Sequence, residues 1–85
     1  MLTAEMINAA AAECICQSGP RKGMFKKTCP PMGTLAAAYW QGAMMVLNPN
    51  KVSIFQVALF TPEQRQLFDA VVAEMDKIKA RRAAA

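Results

Sequence analysis

The chain has 85 residues, is 54% hydrophobic, and sets ten Lys and Arg against six Asp and Glu for a net charge of +4. That length fits one domain and excludes a second core. Histidine is absent, which removes the commonest general base, metal ligand and near-neutral pH switch together.

Residues Thr3 to Gln17 read as a first helix with Thr3 as its N-cap. Met6, Ala10 and Cys14 form one apolar row at a spacing of four, and Ile7, Ala11 and Ile15 the next. The two rows make one stripe, with Glu5, Asn8 and Glu13 pointing elsewhere. Ser18-Gly19-Pro20 supplies the stop, glycine for a left-handed cap and proline to forbid continuation. The segment from Ser18 to Thr34 holds three prolines, three glycines and four basic residues without an acid. Such punctuation argues for a long irregular loop.

The second helix opens between Pro31 and Leu35, with Thr34 or Thr28 as cap, and runs to Leu47. Only Gln41 is plainly polar, so every face of it wants burial. Its thirteen residues fall short of the roughly twenty that span a bilayer. Glu5 and Asn8 interrupt the N-terminus, which does not read as a signal peptide. An intracellular, cytoplasmic protein with reduced thiols and no membrane partner is therefore expected.

Asn48-Pro49-Asn50 breaks the second helix. Val52 to Phe60 has the composition of a strand, but strict alternation fails. Asn48 as N-cap with Pro49 at the first position favours a third helix, with Val52, Phe55 and Leu59 on one side and Ser53 and Gln56 on the other. In the last element, Thr61-Pro62-Glu63-Gln64 spells a capping box ahead of an apolar stripe of Phe68, Val71, Val72, Met75 and Ile78. Basic residues crowd its final turns, where they complement the helix dipole, and residues 82–85 are expected to fray. The whole predicts an all-α chain, a single domain over 1–85: a small, irregular antiparallel bundle of about four helices with one long Gly/Pro-rich basic loop.

No catalytic constellation, cofactor motif, metal signature or small-molecule site is evident. Three cysteines, an odd number, exclude a closed disulfide framework. On a helix, Cys14 and Cys16 diverge by about 200°, and Cys14 falls on the apolar stripe as a small hydrophobe. Cys29, near Lys26 and Lys27, is the thiol expected to have a lowered pKa.

Two features point outward. Arg21, Lys22, Lys26 and Lys27 form one basic cluster and Lys77, Lys79, Arg81 and Arg82 another, and no acid lies between Glu13 and Glu63. If both clusters share a face, they suit sequence-tolerant contact with a phosphate backbone. The second feature is the apolar surplus. Tyr39 and Trp40, and then Met44 and Met45, are adjacent and need different neighbours, while Val52–Phe60 is nearly as apolar. Aromatic residues and Met are enriched at protein interfaces. The first reading is thus a small non-enzymatic interaction protein that self-associates or docks on a protein partner through Tyr39, Trp40, Met44, Met45, Phe55 and Phe60, with the basic loop steering encounter. The alternative is a nucleic-acid-binding accessory protein using the two basic clusters, a type found among small viral or mobile-element accessory and virion proteins.

Overall fold

A computed structural model describes residues 1–84 and is all-α, with no strand among them. The elements are α1 (Ala4–Cys14), α2 (Leu35–Leu47), a single 3₁₀ turn (Pro49–Lys51), α3 (Ile54–Ala58) and α4 (Pro62–Ala84).

Local capping chemistry sets most of the boundaries. The Thr3 hydroxyl accepts from Met6 N–H, Thr34 from Ala37 N–H, and Ser53 from Gln56 N–H. Before α4 the capping box closes in both directions: Gln64 N–H donates to Thr61 Oγ1 at 3.2 Å, and Thr61 N–H to Gln64 Oε1 at 2.9 Å.

α1 ends at Cys14, three residues short of the expected Gln17. Ile15 turns extended and forms an isolated antiparallel bridge with Phe25. Lys26 N–H donates to Cys14 C=O, Cys16 N–H to Met24 C=O and Gly23 N–H to Cys16 C=O. The basic loop is thereby folded back on the end of α1 as a short hairpin-like clip, and these tertiary bonds replace the last helical turn.

α2 is the central element and has its expected bounds. Ala36, Ala37, Ala38, Trp40, Gln41, Gly42, Ala43 and Met44 are all buried. Small side chains let the neighbours approach closely, most of all at Gly42. A Cβ built there would lie 3.0 Å from Phe68 O and 3.0 Å from Val71 Cβ. α1 contributes Ala10 and Cys14 to this core, and α4 contributes Leu67, Phe68 and Val71. Leu67 is fully buried although the expected stripe omitted it.

The helix directions differ from the expected antiparallel arrangement. Gln64 at the start of α4 donates to Thr34 C=O at the start of α2. Val71 faces Gly42 near the middle, and Met75 and Ile78 share a cleft with Leu47 at the end of α2. α2 and α4 therefore run parallel. Residues 48–61 make this possible by returning along the length of α2: Gln56, midway in the return, bonds Gln41 near the middle of α2 at 2.9 Å.

Two further expectations are corrected. The continuous Val52–Phe60 helix is instead a 3₁₀ turn, an extended Val52-Ser53 step and a five-residue α3. Residues 82–84, expected to fray, are helical, consistent with alanine being the strongest helix former; Ala85 lies outside the described residues.

Candidate functional site

The expected contact surface divides in two. Trp40 and Met44 belong to the core, at 3% and 7% exposure. Trp40 is turned inward because its indole Nε1–H finds an acceptor there, Lys26 C=O at 2.9 Å. Their assignment to an outer surface is therefore corrected. Tyr39, Met45 and Phe60 are half-buried and pack against the core. Phe60 meets Phe68 with ring centroids 5.9 Å apart and planes tilted by 59°. Phe55 alone of the six is open to water.

Phe55 has company at the surface. Ile54 is 69% exposed, and Phe55 and Leu59 are each 80% exposed. The sequence put Val52, Phe55 and Leu59 on one side opposite Gln56; in the structure Val52 is half-buried and Val57 is the buried residue of α3. This orientation follows from Gln41, which is 1% exposed and needs partners inside the fold. Its amide donates to Gln56 Oε1 at 2.9 Å and lies 3.9 Å from Met32 Sδ. Drawing Gln56 toward α2 brings Val57 in and rotates Phe55 out. A buried Gln in the middle of α2 facing a Gln on α3 was the sequence signal for this. Met32, whose sulfur lies beside the Gln41 amide, is itself 44% exposed.

No family model matches this chain, and no curated protein or solved structure matches it either. The chemistry of the site must stand on its own geometry.

The basic clusters converge in part. Arg21, Lys26 and Lys27 line a cleft of about 320 Å³ that is completed by Phe25, Met44, Leu47 and Lys51. Lys79 and Arg82 line a second cleft of about 390 Å³ with Phe25, Leu47, Met75 and Ile78. Phe25 and Leu47 belong to both, so the two clefts adjoin. Lys22, Lys77 and Arg81 are exposed but line neither cleft. Lys51 was missed because it stands alone in sequence; its ammonium donates to Lys27 C=O at 3.2 Å.

The thiols follow burial. Cys14 is fully buried and donates to Ala36 C=O at 3.1 Å. Burial first, and then the nearby Cys29 and Glu13, push its pKa up to about 12. The expected lowering at Cys29 is corrected: burial raises it, and the adjacent Gln41 amide only partly offsets the rise. Among the described residues, no three Cys, Asp or Glu side chains converge to hold a metal ion, and no helix is long and apolar enough to cross a membrane.

Proposed function

We propose that this chain is a small non-enzymatic interaction protein that self-associates around Phe55, the most open of the six contact residues read from the sequence, with its neighbours Ile54 and Leu59. One observation carries the reading: Ile54 and Phe55 on α3 and Leu59 just past its end, three large apolar side chains, are 69–80% exposed. A monomer gains nothing from this exposure, whereas an apolar patch with polar surroundings marks an interaction site.

The charge pattern favours a second copy as the occupant. The chain carries +4 overall, yet α3 has no charged residue, and Lys51 is the only charge between Asn48 and Thr61. Two copies can therefore meet there about a twofold axis, patch on patch, with little like-charge repulsion.

Magnitude limits the affinity. Burying three such side chains is worth about 1.5–3 kcal/mol each, and association itself costs about 4–15 kcal/mol. A standard interface covers about 800 Å² per partner, a substantial share of the 5676 Å² total surface. The contact must then extend beyond α3 and remain concentration-dependent. Sedimentation equilibrium across a hundredfold concentration range tests this. A shift toward a dimer that Phe55→Ser and Leu59→Ser abolish, with helicity and thermal stability unchanged, supports the reading. A strict 9.3 kDa monomer at every concentration overturns it.

A further inference from the structure

We propose that the paired basic clefts beside Phe25 form a binding site for single-stranded nucleic acid, separate from the α3 surface. The basic loop and the end of α4, more than fifty residues apart in sequence, are brought to one surface. Six of the ten cations line it: Arg21, Lys26, Lys27 and Lys51 in one cleft, Lys79 and Arg82 in the other. No acid lines either cleft, and none of these six takes part in an ion pair among the described residues. Glu74 lies in a neighbouring cleft that shares Met75 and Ile78, and it marks the limit of the positive surface.

Two of the cations and the loop backbone are tied down. Arg21 donates from its Nη2 to Phe25 C=O at 2.8 Å and Lys51 from its Nζ to Lys27 C=O, while the Lys26 C=O accepts from Trp40 and anchors the loop that carries Lys26 and Lys27.

The floor decides between single and double strands. Phe25 and Leu47 lie between the two cationic arms, with Met75 and Ile78 continuing the apolar strip. A duplex presents stacked bases and a phosphate surface, and it has no use for such a floor. A single strand offers unstacked bases to an aromatic and apolar platform while its phosphates lie on the flanking cations. None of the cleft residues offers an ordered array of base-edge readers, so recognition is sequence-tolerant.

The test is anisotropy of a labelled oligothymidylate titrated at 50 and 200 mM salt. Counterion release from single strands gives a slope of about −0.7 per phosphate neutralised. Six contacts therefore predict a slope near −4 and a loss of affinity of about 300-fold between the two salts. Lys26→Ala and Lys79→Ala are each expected to flatten the slope by about 0.7. Lys77→Ala and Arg81→Ala, equal in charge but outside the clefts, should change it far less. Phe25→Leu, which retains an apolar floor, should weaken binding without altering the slope. Equal losses for cleft and control lysines, tighter binding to a duplex of the same length, or binding only to vesicles containing anionic phospholipid would each overturn the proposal. Phe55→Ser should leave oligonucleotide binding by the monomer intact, so that failure here is distinguishable from failure of self-association.

Discussion

Replacing Gly42 with alanine tests the close parallel contact of α2 and α4. In an exposed helix interior the change stabilises by about 1 kcal/mol, because alanine has the higher helix propensity. Here the new methyl would stand 3.0 Å from Phe68 O, 3.0 Å from Val71 Cβ and 3.2 Å from Val71 Cγ1, whereas ordinary contact begins at 3.4 Å. The first two are backbone or backbone-attached atoms, so no side-chain rotation relieves them. The helices must part by a few tenths of an ångström, loosening the packing around Phe68 and Val71, both of which are buried. Overpacking of this kind costs about 1–3 kcal/mol. After subtracting the propensity gain, a net loss of up to about 2 kcal/mol is expected in place of the gain seen at an open site. In a domain of this size that lowers Tm by up to roughly 15 °C. Circular dichroism with thermal and urea denaturation reads the effect directly. An alanine variant more stable than the parent by the full propensity gain of about 1 kcal/mol would refute the close approach of the two helices at this point.

The remaining expectations concern the capping box, the buried thiol and its reactivity. Thr61→Ala should cost about 1 kcal/mol by urea denaturation. Gln64→Ala should cost more, since it also removes the bond to Thr34 C=O; equal losses would mean that the tie between the starts of α2 and α4 contributes nothing. The folded Cys14 thiol resists ionisation up to about pH 12, against an ordinary value of 9.0. Its contribution is thus fully present below pH 9 and is lost between about pH 9 and 12, as the unfolded thiol ionises and the folded one does not. At about 1.4 kcal/mol per pH unit, the loss reaches at most about 4 kcal/mol; Cys14→Ala should flatten this alkaline limb while lowering the neutral plateau. Maleimide labelling under native conditions should spare Cys14, and the modification rate there should follow global unfolding; rapid native labelling would contradict its burial.

The parts of this protein legible in the sequence are those whose chemistry closes within a few residues. Thr3, Thr34 and the Thr61–Gln64 pair announce helix starts because a cap is satisfied by an N–H two or three positions on. The bounds of α2 and its central burial follow equally from a run with one polar residue. What tertiary structure decided depends on groups 10 to 30 residues apart. The early end of α1 required Phe25, the outward turn of Phe55 required Gln41 to recruit Gln56, and the parallel course of α4 required Gln64 to reach Thr34. The same holds for the contact residues: an all-round apolar helix does not itself say which side chain faces water. Lys26 C=O settled that for Trp40 by offering the indole an acceptor inside the fold, and the apolar surplus emerged on α3 instead. Local hydrogen bonds write helices into a sequence, whereas the face each helix exposes is chosen by distant partners competing for the same buried polar groups.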